Sequence, residues 1–121
     1  MKMEMTNEEI RKTVEILSTC REKGKLGYAI ARNTRRMKDA VKEYMDIRDD
    51  AIRKCGTKTK NGQVVVTAEN EEKFLQELDG IGEITAEVDV FLVDEETFLN
   101  GTLDSHQMEN LLWMIKETKE E

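Results

Sequence analysis

The sequence predicts an α+β fold that is mostly helical, and three observations carry that expectation. Proline is absent from all 121 residues, so no pyrrolidine ring forces a helix to break. Apolar residues recur at spacings of three and four along most of the chain, and one segment near residue 90 switches to almost perfect alternation. The predicted architecture is a single domain over residues 1–121. It has an N-terminal helical hairpin with a long second helix, a small β-sheet, a short helix and a C-terminal helix.

The first helix begins at "TNEE", residues 6–9, a capping box in which Thr6 accepts from the amide three residues on and Glu9 reaches back. Ile10, Val14 and Leu17 mark its inward face, and "REKGK" ends it, with Gly24 expected in the left-handed C-terminal position. From Leu26 to about Cys55, the positions Leu26, Ile30, Asn33, Met37, Ala40, Tyr44, Ile47 and Ala51 alternate spacings of four and three. That is close to a 3.5-residue repeat, which keeps one seam against a partner helix. As one helix it would run about 40 Å, forming the spine of the fold or projecting into a second chain. Tyr44, the aromatic residue of this seam, is therefore an interaction candidate.

Gly56 stops the helix, and Asn61-Gly62 is a type I′ hairpin signature ahead of a strand at Val64–Val66. "AENEEKFLQELDGIG" places Phe74, Leu75 and Leu78 on one side of a short helix ended by Gly80 or Gly82. In "ITAEVDVFLV", Ile84, Ala86, Val88, Val90 and Leu92 face one way, with Thr85, Glu87 and Asp89 opposite, as in a strand with one face on a core and one in water. Ser105 or Asp104 caps the last helix, whose inward face is expected to be Met108, Leu111, Leu112 and Ile115. On a wheel of 100° per residue, Trp113 lies about 140° from Met108 and Met114 about 120° off on the other side. Either this helix is sandwiched between two elements, the favoured arrangement in a small fold, or a second chain covers Trp113 and Met114.

Charge is distributed unevenly. Residues 1–68 hold 16 Lys/Arg and 10 Asp/Glu, whereas residues 69–121 hold 3 and 16, for a net charge of −7. Residues 21–38 contain seven basic residues and a single acid, Glu22. The two ends should prefer different partners.

The chemistry open to the chain is narrow. No apolar run reaches the eighteen or so residues that cross a bilayer, and the N-terminus lacks the apolar core of a signal peptide, so no membrane association is expected. Cys20 and Cys55 form no CxxC pair, which suits a reduced cytoplasmic setting. His106 is the only histidine and has no cysteine near it in sequence, so neither a zinc site nor a nucleophile pair is indicated. Glu87 and Asp89 share a strand face and could in principle hold magnesium, yet a solvated strand face is the favoured reading. The glycines form no phosphate-binding loop. We therefore expect no enzyme activity, no cofactor, no metal and no catalytic residue. Arg32, Arg35 and Arg36 lie on adjacent turns and could meet phosphates, but with no aromatic residue read among them, nucleic acid is the less favoured partner.

Three stretches, "GYAIARNTRRMKDAVKEYMDIRDDAIRKCG", "EVDVFLV" and "LDSHQMENLLWMI", taken in that order, resemble small proteins of unknown function encoded by phages and prophages of Gram-positive bacteria. The resemblance covers most of the chain. It implies the cytosol of a bacterial host, and either an accessory of virion assembly or an inhibitor of a host protein. No catalytic role comes with it. The expected function is a non-catalytic protein-protein interaction module, self-associating as a homodimer, with Trp113, Met114, Arg32, Arg35, Arg36, Tyr44, Glu87 and Asp89 as interaction candidates. Two alternatives are an acidic inhibitor that fills a nucleic-acid-binding groove of a host protein and a nucleic-acid binder using residues 21–38.

Overall fold

Local sequence starts the chain differently from expectation. "KMEMT" forms a strand, β1 (Lys2–Thr6), that turns directly into helix α1 (Asn7–Leu17) at the Thr6 capping box. Both reciprocal bonds form: Glu9 N donates to Thr6 Oγ1 at 3.1 Å and Thr6 N donates to Glu9 Oε1 at 2.9 Å. Met5 and Ile10, on either side of the cap, are both buried. The computed structural model describes residues 1–117 and is mostly helical with small antiparallel sheets, the α+β class that the sequence predicts.

After α1 come α2 (Gly24–Ala40), α3 (Lys42–Cys55), the hairpin strands β2 (Thr57–Lys58) and β3 (Val64–Val65), α4 (Glu71–Leu78), β4 (Thr85–Asp89), α5 (Glu95–Leu99) and α6 (Ser105–Leu111). Short 3₁₀ turns occupy Ala68–Asn70, Ile81–Glu83 and Leu112–Met114. β1 pairs antiparallel with β4, from Lys2 opposite Asp89 to Thr6 opposite Thr85. β2 pairs with β3 in a separate sheet.

The expected long second helix is two helices. Val41 leaves helical geometry (φ −111°, ψ 14°) between α2 and α3, although no proline or glycine is present. Tertiary contact explains the break. Val41 and Tyr44 are both buried in the core, and the Tyr44 hydroxyl donates to Glu8 Oε2 on α1. A straight rod would carry those side chains off the core; the bend returns them to it and turns Ile47, a predicted seam residue, toward solvent. The N-terminal half of the seam, Leu26, Ile30, Asn33 and Met37, is buried as expected.

Several local expectations are corrected. Gly24 does adopt a left-handed φ of 61°, but as the first residue of α2; α1 ends at Leu17 with Ser18 as its cap. The hairpin turn is not type I′, which needs positive φ at both central residues. Only Gly62 (φ 82°) has it, with Gly62 N donating to Thr59 O at 3.0 Å and Thr59 N to Gln63 O at 2.7 Å, so the loop is a three-residue turn closed by a left-handed glycine. On α4, Leu75 is exposed while Leu78 is buried, and the left-handed cap is Asp79 (φ 48°). Ile84 is exposed because it lies at the strand's entry, whereas Val88 and Val90 are buried.

One buried polar residue organises the core. Asn33 is fully buried, and its amide makes both backbone hydrogen bonds of Phe91: Nδ2 donates to Phe91 O at 2.9 Å, and Phe91 N donates to Oδ1 at 2.7 Å. The fully buried apolar side chains around it include Ile10, Met37, Phe98, Leu111 and Met114.

Asn33→Leu should leave both polar groups of Phe91 without partners, and each unsatisfied buried group costs about 1–3 kcal/mol. Urea unfolding is expected to show a loss of about 2–4 kcal/mol; a change below about 1 kcal/mol would mean that the Phe91 backbone finds other partners. The Glu8 site gives a pH prediction. The hydrogen bond from Arg11 is the main cause that holds Glu8 down from 4.5 to about 2, outweighing desolvation, and the Tyr44 hydroxyl assists. A depressed carboxyl stabilises the fold above pH 4.5, and that contribution disappears as pH falls toward 2. Tyr44 behaves oppositely: burial and its bond to Glu8 raise it from 10 to about 12, so its contribution is complete below pH 10 and vanishes as pH rises through about 12. The urea midpoint should therefore drop on the acid side, and Glu8→Gln should flatten that limb; an unchanged acid limb in the variant would assign it to other carboxyls.

Candidate functional site

Helix α2 buries one face through Leu26, Ala29, Ile30, Asn33 and Met37. The residues between them point away from the core, and that outward face is where the predicted arginines gather. Lys25, Tyr28, Arg32, Arg35 and Arg36 lie within about 100° of the helix circumference. Tyr28 is 55% exposed. The Arg32 guanidinium lies 5.3 Å from the centroid of the Phe91 ring and donates to the Tyr28 hydroxyl at 3.0 Å. Tyr28 and Phe91 meet edge to face, 5.4 Å apart at 85°.

Phe91 reaches this face because Asn33, adjacent to Arg32 in sequence, holds its backbone. Neighbouring Val90 is buried, so in an extended segment Phe91 turns outward. An open groove of about 450 Å³ is lined by Tyr28, Ala31, Arg32, Arg35, Arg36 and Asp39. A second, of about 710 Å³, lies on the other flank and shares Ala31, Arg35 and Asp39, adding the charged residues Arg21, Glu22 and Lys38. Arg36 is engaged: its Nη1 lies 3.0 Å from Asp89 Oδ2. Arg35 is exposed and has no ion pair among the described residues. The face thus offers guanidinium groups beside flat aromatic surface, suited to an extended anionic chain.

The other candidates lie elsewhere. Glu87 pairs with Lys2 at 3.3 Å, and Asp89 with Arg36 and the Met1 amino group. The amino group first and Arg36 second hold the Asp89 carboxyl below its usual range. Cations already face both carboxylates, and no group of three or more His, Cys, Asp or Glu side chains that could hold a metal occurs among the described residues. Tyr44 is a core side chain. Trp113 is half-buried against the core, with a buried Nε1 that has no hydrogen-bond partner among the described residues.

Met114 and Leu112 exchange their expected places. Met114 is fully buried while Leu112 is 57% exposed. The reason is the 3₁₀ turn at Leu112–Met114: at about 120° per residue it brings position i+3 back over i, so Met114 follows Leu111 into the core. A wheel drawn at 100° per residue puts it outside. Of the two expected caps, Asp104 is the one that forms, with Gln107 completing its capping box.

Two site residues, Tyr28 and Phe91, escape the sequence reading. Tyr28 was accessible to it, since it stands four residues before Arg32 and so shares its face. Phe91 was not, because its place depends on a contact 58 residues distant. No helix among the described residues is long and apolar enough to cross a membrane. Compared with known proteins, the chain matches no family model, no curated protein and no solved structure.

The 3₁₀ turn makes a paired prediction. Met114→Ala should cost about 2–4 kcal/mol in urea unfolding, and Leu112→Ala less than about 0.5 kcal/mol. The reverse order would restore a regular helix through residue 114.

Proposed function

We propose that the protein is a non-catalytic interaction module whose α2 face holds an acidic polypeptide. The observation that carries this reading is the stripe Lys25, Tyr28, Arg32, Arg35 and Arg36, of which Lys25, Tyr28 and Arg35 are exposed and Arg32 is already positioned by Phe91 and Tyr28. A mostly basic face around an aromatic centre, with Asp39 at its edge, has the composition of an interface core, where Tyr and Arg contribute most. The setting we propose is that of a phage or prophage accessory protein in a bacterial cytosol, following the resemblance described above.

A protein partner suits the face better than a nucleic acid. The chain as a whole carries −7, which repels a polyanion beyond the immediate contact, and an acidic polypeptide of lower charge density suffers less from that field. Fluorescence anisotropy of labelled polyglutamate should show binding at about 0.05 M salt that weakens toward about 0.5 M, as the screening length contracts. Tyr28→Ala/Arg35→Ala should weaken it about five- to tenfold, equivalent to about 1–1.4 kcal/mol. No anisotropy change at low salt, or an unaffected variant, would refute the reading. Tighter binding of a single-stranded oligonucleotide at equal salt would reassign the face to nucleic acid.

A further inference from the structure

The same chain carries a surface with the opposite signs and a matching centre. On α4, Leu75 is 57% exposed. Glu71 and Glu72 stand four and three residues before it, and so share its face, while Lys73 and Glu77 turn away. Glu69 and Asp79 extend the exposed acidic surface beyond the two helix ends. The α2 face has the complementary plan: Tyr28 at the centre, with Lys25 one turn before and Arg32 and Arg35 one and two turns after.

Neither centre is covered by the described residues of one chain. Tyr28 and Leu75 are the two helical apolar side chains at the middle of these charged faces, and both stay more than half exposed. α2 packs against α1, β4 and α5, whereas α4 packs against α3 and the 3₁₀ turn before it. From this complementarity we infer that the occupant of the α2 face is the α4 face of a second copy of this chain. The inference rests on the reading of the α2 face given above and names its partner. Leu75 sets its methyl groups on the Tyr28 ring, while Glu71 and Glu72 meet Lys25, Arg32 and Arg35. Contact of apolar centres supplies the attraction, and the charges fix orientation and raise the association rate.

A charge exchange between two copies tests this. Sedimentation velocity of the unaltered protein, up to about 1 mM, should show a concentration-dependent assembly at about 0.05 M salt that dissociates at about 0.5 M. Lys25→Glu/Arg35→Glu and Glu71→Lys/Glu72→Lys should each sediment as monomers, with unchanged circular dichroism. Both substitutions avoid Arg32, whose guanidinium the fold uses. An equimolar mixture of the two variants should assemble again, because each altered face then meets its complement. Leu75→Asn, which leaves every charge in place, should weaken assembly at least tenfold and provides the test should a charge variant fail to fold. A monomer at every concentration and low salt overturns the inference, as does assembly indifferent to salt and to Leu75→Asn, or a mixture of folded variants that stays monomeric. These failures differ from failure of the broader reading: polyglutamate bound by a monomeric chain leaves the α2 face a binding site and removes only the second copy as its occupant.

Discussion

The fold depends on the paired hydrogen bonds between the Asn33 amide and the backbone of Phe91. The extended segment that begins with β4 outruns its partner strand. β1 pairs with it as far as Asp89, and Val90 N still finds Met1 O at 2.7 Å. At Phe91 the pairing passes to a side-chain amide, which presents a donor and an acceptor as a peptide group does. Two residues later the segment is paired again, by Val93 N to Met114 O at 2.8 Å and Lys116 N to Val93 O at 2.7 Å. Three unrelated partners therefore satisfy one extended run of chain, and Asn33 bridges the gap between the other two. An apolar residue there would leave polar atoms stranded among Val90, Met37 and their neighbours.

The remainder of the architecture divides around that run. α1, α2, the first turn of α3, α5, α6 and residues 88–93 contribute to one continuous core. The rest of α3, the hairpin and α4 bury only Ala51, Cys55 and Leu78, which do not belong to it. Here Val64, Val65, Leu75 and Ile47 remain exposed. A region with so few buried side chains draws little stability from its own packing. Contacts such as Arg48 over the Phe74 ring and Lys54 with Glu77 position α4 on α3 at the surface, where solvent screens them. The acidic helix is thereby held out from the body, and the basic helix is locked into it.

What the sequence disclosed follows the range of the interactions. The capping boxes at Thr6 and Asp104 are closed by residues three positions away, and the alternation through Val88 and Val90 reports a neighbouring core face. These were legible. β1 was not, although Met3 and Met5 alternate with charged residues, because a strand at the start of the chain needs its partner some eighty residues later. The break at Val41 carries no local signal: neither residue type nor spacing marks it, and its cause is the burial of Val41 and Tyr44 against α1. Leu112 and Met114 were misplaced for a geometric reason, since the final turn winds at three residues per turn instead of 3.6. Of the candidate site, the arginines and their common face were visible. The aromatic component was half visible, through Tyr28, and Phe91 required the fold.

That last residue connects the fold to the proposed face. A surface arginine ordinarily loses several rotatable bonds' worth of freedom when a partner arrives, which offsets much of the contact it makes. Arg32 has surrendered part of that freedom already, because the Phe91 ring supports its guanidinium and the Tyr28 hydroxyl accepts from it. Phe91 serves as a support because its backbone is held by Asn33, the residue that follows Arg32 in the same helix turn. The amide that closes the gap in the sheet thus also sets the geometry of the α2 surface. A rigid core contact and a prearranged arginine are consecutive residues of one helix, so the stability of the interior and the shape of the exposed face are controlled together.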